Sequence, residues 1–345
     1  MKANKKMVSL VLTVVLLASI FVACAASTTE IHNPQAAQPT GYDSGFVDSA
    51  IREVPLSDGE FIDISAEMVP MTESAPTSVL MPSAPGTNEK KNDKALIDYS
   101  NAKDGYVMVK YLKDTTKALR VQVKGQSGTA YTYILKSNGD FEVFPLSDGN
   151  GEYSVGVYEQ VEGNKYSTSN SLTLNVDLTD EFAPFLRPNQ YVNYKADSET
   201  VKKAAELIKD AKDINETISA VYEFIVNNFK YDKELAATVQ SGYLPDLDAV
   251  LAKKKGICFD YAAVMTGMLR SQGVPTKLVV GYTGTTYHAW INVYSKESGW
   301  INSAIFFDGK SWKLMDPTFA STGKESSEVM KYIGDGKNYS AKYLY

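Results

Sequence analysis

The chain has 345 residues, of which 44% are hydrophobic and 22% are charged, and its formal net charge is −6 at pH 7. This composition is typical of a globular protein with room for more than one domain, and the acidic balance argues against nucleic acid as a main partner. With two cysteines and two histidines in the whole sequence, a zinc site of the usual kind is not expected. The sequence has no Gly-rich phosphate loop and no EF-hand loop, so we expect no cofactor and no metal.

Residues 1–23 predict a secretory signal peptide. Three lysines lie within the first six residues, and an almost wholly apolar stretch then runs from Met7 to Ala23. The sequence from Phe21 to Cys24 resembles a bacterial lipobox, which predicts a lipid on Cys24 and anchoring of the exported chain to the membrane at the bacterial cell surface. Ordinary cleavage near Ala25 and an uncleaved anchor are the alternatives.

Residues 24–94 predict a disordered tether. Seven of the thirteen prolines of the chain lie between Pro34 and Pro85, and Ser, Thr, Ala and Asp are frequent. The apolar residues follow no period, so they cannot form a core. Such a segment would hold the folded part away from the membrane.

Residues 95–180 change to a period of two, which predicts strands separated by turns. Turn signals occur at Gly125, at Asn138-Gly139 and around Gly149. The spacing predicts a small antiparallel β-sandwich, immunoglobulin-like in type. The predicted strands are 106–112, 118–123, 129–135, 141–144, 152–158 and 171–177.

Helical periodicity dominates the first part of residues 190–345. Ser198 can cap a first helix, and Asp213 with Glu216 predicts the start of a second one, whose apolar stripe runs to Phe229. A short helix is predicted over 247–254. The apolar faces of these helices predict a core rather than a ligand groove.

Cys258 opens a further predicted helix, which runs to Gln272 and ends before Gly273. The free backbone N–H groups of a first helical turn stabilise a thiolate and could also bind an oxyanion. Gly256 would let the chain bend sharply just before the helix. An inert buried thiol is the alternative interpretation.

His288 lies on the second of two predicted strands, 276–282 and 287–294. Alternation places His288, Trp290 and Asn292 on one polar face, which could meet the first turn of the Cys258 helix. Further along the chain, Asp316 ends a predicted strand just before Pro317. Beyond residue 32 the sequence has a single cysteine and a single histidine, so no other Cys–His pair exists there.

Three short motifs follow one another in this order: Gly256-Ile-Cys258, His288-Ala-Trp290 and Asp316-Pro-Thr318. Together they resemble the transglutaminase-like cysteine enzyme superfamily, a branch of the papain-like fold, over about 214–319. The resemblance implies an α+β domain over 190–345. It also implies a triad in which Cys258 is the nucleophile, His288 the base and Asp316 the residue that orients the histidine.

The family often has a further hydrogen-bond donor upstream of the nucleophile, at the oxyanion site. Tyr231 is our candidate for this donor, and a tyrosine that anchors a helix end is the equal alternative. Asp260 is too close to Cys258 on the same helix to be the orienting carboxylate.

Three functions remain open at this point. The first is a cell-surface cysteine hydrolase, peptidase-like or amidase-like, that forms a thioester on peptide or isopeptide bonds of a protein or peptide substrate such as cell-envelope peptide. The second is a transglutaminase that passes the acyl group to an amine. The third is a non-enzymatic surface module, against which the complete set of Cys258, His288 and Asp316 argues.

Overall fold

The computed structural model describes residues 28–30, 79–296, 299–301, 305–307, 312–314, 317–318 and 339–345. The predicted signal peptide, the predicted lipidation site at Cys24 and most of the predicted tether lie outside these ranges, and so does Asp316. Within the described ranges, no helix combines the length and the apolar content needed to cross a bilayer.

Two antiparallel sheets form the N-terminal part of the described chain, in the orders β1-β9-β8-β5-β6 and β2-β3-β4-β7. Their strands are β1 (Thr28–Glu30), β2 (Glu89–Lys91), β3 (Ala95–Asp98), β4 (Tyr106–Tyr111), β5 (Leu119–Lys124), β6 (Ala130–Leu135), β7 (Glu142–Pro145), β8 (Gly151–Glu162) and β9 (Lys165–Val176).

The two sheets pack together through alternating buried side chains. On β5, Leu119, Val121 and Val123 are buried while the residues between them are partly exposed, as a half-buried strand requires. Tyr133 of β6 meets Phe144 of β7 with ring centroids 5.1 Å apart. All six strands expected from the period of two are present, and the immunoglobulin-like type stays a prediction.

Residues before 95 also contribute to the sheets. β2 pairs with β3, and the N–H of Gly86 donates to the carboxylate of Asp98 at 2.8 Å. β1 pairs with β9. These segments fall inside the range predicted as a tether, and the predicted domain limits themselves stay predictions.

The C-terminal part combines helices with a second set of strands. The helices are α1 (Glu199–Leu207), α2 (Ile214–Asn228), α3 (Lys233–Thr238), α4 (Leu247–Lys253) and α5 (Cys258–Ser271). The strands are β10 (Lys230–Tyr231), β11 (Lys255–Gly256), β12 (Thr276–Thr283), β13 (Thr286–Ser295), β14 (Gly299–Ile301), β15 (Ile305–Phe307), β16 (Trp312–Leu314) and β17 (Tyr339–Leu344).

The larger C-terminal sheet has the order β14-β13-β12-β17 and supports α5. Every residue of α5 from Phe259 to Ser271 is buried. The helix packs against β12 and β13 and is also in contact with α1, α2 and α4. At Gly267 an added Cβ would lie 2.5 Å from the Cδ2 of Leu247, so the glycine permits the close approach of α4.

Aspartates fix the beginnings of the surrounding helices. Asp213, Asp232 and Asp246 are the N-caps of α2, α3 and α4, and each carboxylate accepts a backbone N–H of the first turn. Asp248 of α4 accepts the N–H of Thr200 in α1 at 2.8 Å. Such caps satisfy backbone donors that a helix leaves unpaired, and they define where the helices start. The contact of Asp248 with Thr200 also joins α1 to α4.

A cluster of tyrosines joins the sandwich to the C-terminal sheet. Tyr131 lies 5.8 Å from Tyr343 and 5.7 Å from Tyr345, ring to ring. Tyr191 is 4.4 Å from Tyr345 and 5.6 Å from Phe259, which follows Cys258 on α5. Aromatic pairs at these distances bury much apolar area and prefer inclined geometries. The start of α5 is therefore in contact with the core that both parts share.

Arg270, at the end of α5, is fully buried and bonds backbone oxygens from three separate segments. Its Nε donates to Thr276 and its Nη1 to Arg187, both at 2.8 Å, and its Nη2 donates to the main-chain oxygen of Tyr345. Burial lowers the pKa of Arg270 to about 10, so the guanidinium stays charged at neutral pH. One side chain thus connects α5, β12, the 183–187 turn and the segment after β17.

We predict that Arg270→Leu destabilises the protein strongly. Unsatisfied buried polar groups cost about 1–3 kcal/mol each, so we expect the free energy of unfolding to fall by about 3 kcal/mol even though a buried charge is removed. Urea denaturation of the purified protein measures this change. Arg120→Leu is the control, because half-buried Arg120 donates to a single carbonyl, that of Leu119, and should cost under about 1 kcal/mol. Equal losses for the two variants would contradict the role given to Arg270.

Candidate active site

Cys258 is the first residue of α5 and is half-buried, and it is the only free cysteine among the described residues. The residue before it, Ile257, is the N-cap and has extended backbone angles of φ −96° and ψ 176°. An isoleucine side chain has no acceptor for the first-turn N–H groups, unlike the aspartates that cap α2, α3 and α4. The positive end of the α5 dipole is therefore left open at Cys258, where an anion would be stabilised.

Asp260 supports this turn from within the helix. Its carboxylate is completely buried, and it accepts the N–H of Ile257 at 2.8 Å and the hydroxyl of Tyr243 at 2.7 Å. Burial raises the pKa of the Asp260 carboxyl, and the two donors offset part of the rise. Only a glycine fits at position 256, because an added Cβ would lie 2.6 Å from the Cβ of Asp260.

The segment before Cys258 is also held by a short parallel pairing of β10 with β11. Tyr231 pairs with Gly256 in this register. The N–H of Asp232 donates to the carbonyl of Gly256 at 2.8 Å, and Lys255 forms a 3.0 Å ion pair with Asp232. The structure therefore places half-buried Tyr231, the oxyanion candidate, on the strand beside the residues that lead into Cys258.

His288 lies on β13, opposite Gly281 of β12, and is 4% exposed. Its ring is inclined by 21° to that of Trp290, with centroids 6.1 Å apart, and the ring of Tyr339 of β17 is 6.2 Å away. The expectation that His288 and Trp290 share one face is confirmed. That face is aromatic and buried rather than polar, because Trp290 and Tyr339 cover it and Gly281 leaves room for the Trp290 ring.

Tyr287 is a further residue near Cys258 that the sequence motifs did not single out. It lies next to His288 on the opposite face of β13, and its ring is 5.5 Å from that of Tyr282. Burial raises the pKa of Tyr287, and Cys258 is among the neighbouring groups that add to the rise. Strand alternation from His288 could have identified it, since Tyr287, Ala289 and Ile291 share the face that contributes to the core.

The structure describes the segments that carry Cys258, Tyr231 and His288, but it does not describe Asp316. Cys258 and Tyr231 lie on adjoining segments, and α5 packs against β13, which carries His288. Asp316 lies outside the described residues, while the neighbouring Thr318 is buried. The catalytic roles of these residues stay predictions. Within the described ranges, no group of three or more His, Cys, Asp or Glu residues could hold a metal ion.

Comparison with protein families supports the resemblance seen in the three motifs. Residues 201–304 match the family model of the transglutaminase-like superfamily, whose members are generally cysteine-dependent enzymes. The match includes Cys258 and His288 and ends before Asp316. It supports a transglutaminase-like domain of mixed α and β content over these residues.

Three known proteins are similar to parts of the chain. The Uncharacterized protein YebA of Bacillus subtilis (strain 168) is 28% identical over 118 residues, which cover 28% of this chain and 16% of YebA. The chain thus spans only a small part of the length of this curated relative.

A proposed cysteine protease from Cytophaga hutchinsonii is 14% identical over 75% of this chain and 74% of its own, with a TM-score of 0.34. The periplasmic domain of TgpA from Pseudomonas aeruginosa is 15% identical over 68% and 99%, with a TM-score of 0.32. These TM-scores are too low to support an argument about the fold. The assignment of the domain therefore rests on the family match of residues 201–304.

We predict that Gly256→Ala disturbs the turn before Cys258. The added methyl group would overlap the Cβ of Asp260, and overpacking of this kind costs about 1–3 kcal/mol of the free energy of unfolding. Urea denaturation measures the cost. The adjacent Lys255→Ala is the control, because it removes only an exposed ion pair with Asp232 worth less than about 1 kcal/mol. An unchanged unfolding midpoint in Gly256→Ala would show that position 256 tolerates a side chain.

Proposed function

We propose that the chain, whose residues 201–304 match the family model of the transglutaminase-like superfamily, is a cysteine hydrolase, peptidase-like or amidase-like, of the bacterial cell surface. Its substrates would be peptide or isopeptide amide bonds of a protein or peptide, for example in the cell envelope. The observation that carries the proposal is the position of Cys258, the first residue of a helix whose following residues are all buried and whose N-cap, Ile257, has no side-chain acceptor. A thiolate and a developing oxyanion are both stabilised at such a position.

The first half of the reaction forms a thioester. The Cys258 thiolate attacks the amide carbonyl, a C–S bond forms, and the carbonyl oxygen becomes an oxyanion. The N–H of Cys258 and the hydroxyl of Tyr231 donate to this oxyanion. Protonated His288 gives its proton to the leaving amine as the C–N bond breaks, and Asp316 holds the imidazole in the required tautomer.

The second half releases the acyl group. His288, now neutral, takes a proton from water as the water attacks the thioester. The C–S bond breaks, the acid product leaves, and the Cys258 thiolate is restored next to protonated His288. An amine in place of water would make the same thioester serve a transglutaminase, so the acceptor defines the difference between the two activities.

The N-terminal residues provide the proposed location. Residues 1–23 would direct export, a lipid on Cys24 would anchor the chain to the membrane, and residues 24–94 would act as a tether. The immunoglobulin-like sandwich of residues 95–180 would then lie between the tether and the catalytic domain of residues 190–345. The acidic chain is suited to peptide substrates rather than to nucleic acid.

We predict that Cys258 reacts as an activated thiol. Ordinary cysteine thiols become reactive only as the pH approaches about 8.5, whereas we expect iodoacetamide to label this protein about tenfold faster than free cysteine at pH 6, by comparison with a Cys258→Ala background. His288→Ala should lower the rate about tenfold, since the thiolate loses its imidazolium partner.

Tyr339→Phe is the matched control for this labelling experiment. It keeps an aromatic ring beside His288 and leaves the imidazole itself in place, so its rate should stay within about twofold of that of the wild type, unlike that of His288→Ala. Labelling of wild type no faster than free cysteine, or unaffected by His288→Ala, would overturn the proposed function and leave a non-enzymatic surface module.

We predict further that water is the acceptor of the acyl group. Cys258 acylated by p-nitrophenyl acetate should release mainly acetate when a fluorescent primary amine is present. Water, unlike an amine substrate, can reach the thioester without an ion pair or an apolar channel to bind it. Mass spectrometry of the products measures the partition. Recovery of the acetylated amine as the main product would replace the hydrolase by a transglutaminase.

A further inference from the structure

The buried Asp260 carboxylate lies in the first turn of α5, yet the proposed reaction gives it no part. Taking an ionised carboxylate out of water is unfavourable, and burial does raise the pKa of this group. Its two oxygens are used by different partners, the N–H of Ile257 and the hydroxyl of Tyr243. Asp260 therefore connects the residue before the nucleophile to a separate loop.

The contact with Ile257 constrains the donor that the reaction would use. Because Asp260 accepts the N–H of Ile257, this N–H cannot donate to an oxyanion. Only the two backbone torsions of Ile257 separate this N–H from that of Cys258, so fixing the first peptide group restricts the direction of the second. Donors in an oxyanion site must be aimed before the charge develops.

The contact with Tyr243 holds the carboxylate itself in place. Tyr243 belongs to the loop between α3 and α4, is half-buried, and donates at 2.7 Å to Oδ1 of Asp260, the oxygen that Ile257 does not use. Gly256 has no Cβ and so leaves the space that the Asp260 side chain occupies. The β10–β11 pairing fixes the chain on its other side through the carbonyl of Gly256.

We propose that Asp260 and Tyr243 are positioning residues for the reaction at Cys258: together they fix the peptide group of Ile257 and thereby aim the N–H of Cys258 at the oxyanion. The inference rests on the proposed function and adds two residues to it. Neither residue touches the substrate in this scheme. A pair that served only to cap the helix would affect stability without affecting the formation of a tetrahedral oxyanion.

Two small reagents separate positioning from thiol reactivity. Acylation by p-nitrophenyl acetate passes through an oxyanion: the Cys258 thiolate bonds to the acetyl carbon, and p-nitrophenolate leaves with the electrons of the broken C–O bond. Alkylation by iodoacetamide displaces iodide from a saturated carbon and forms no oxyanion. The ratio of the two rates therefore reports oxyanion stabilisation.

The test measures both rates in purified Tyr243→Phe, Asp260→Ala and Asp260→Asn, with thermal unfolding followed in parallel. Acylation should fall about tenfold in Tyr243→Phe and Asp260→Ala, while alkylation changes by less than about twofold. Asp260→Asn should stay within about threefold of wild type, because its amide oxygen can accept from Ile257 and its NH₂ can contact Tyr243. Tyr194→Phe is the control, since Tyr194 is a buried tyrosine beside α5 that makes no hydrogen bond to this turn.

The outcomes separate this inference from the proposed function. If both rates in Tyr243→Phe equal those of wild type, or fall together by the same factor in a folded protein, the positioning role is wrong while the cysteine chemistry stands. If wild-type protein is acylated no faster than free cysteine, the proposed function fails and the inference fails with it. Selective loss of acylation, recovered in Asp260→Asn and absent in Tyr194→Phe, supports the pair.

Discussion

The position of Cys258 depends above all on the burial of α5, the helix that begins with it. A helix with thirteen consecutive buried residues after Cys258 has no face left for solvent, so neighbouring elements must cover it on all sides. The sheet of β12 and β13 packs against it, and α1, α2 and α4 are in contact with the rest. Since protein interiors are packed as densely as organic crystals, such a helix cannot slide or rotate. Its first residue therefore has a fixed position at the border of the core.

The N-terminus of α5 differs from those of α2, α3 and α4 in the residue that caps it. α2, α3 and α4 begin at aspartates that neutralise their own first turns. α5 begins after an isoleucine, and its first-turn carboxylate is directed back to the N-cap N–H instead of toward solvent. The surrounding helices are thus built for stability, whereas the N-terminus of the central helix keeps its capacity for an anion.

Those parts of the fold and of the candidate site that follow a regular sequence pattern could be predicted from the sequence. The apolar repeats located α5, β12 and β13, and the glycines before and after the helix defined its ends. The parallel pairing of Tyr231 with Gly256 could not be predicted, because two-residue strands have no period and their pairing depends on tertiary packing. The contact of Tyr243 with Asp260 joins residues 17 positions apart, and no sequence spacing indicates it. Alternation gave the face of His288 but not the aromatic rings that cover it.

The pairing of β12 with β17 has a consequence for how the chain folds. Val279 pairs with Leu344, 65 residues further along, and the segment after β17 supplies Tyr345 to the aromatic contact with β6 and an oxygen to Arg270. Closing so long a loop costs entropy before its contacts can form, and distant pairings slow folding. The sandwich and most of the helices can assemble from contacts closer in sequence. The sheet that lies between them is completed only when β17 pairs with β12. We therefore expect the Cys258 helix to reach its final environment late, so that a newly made chain carries an unreactive thiol until β17 has paired with β12.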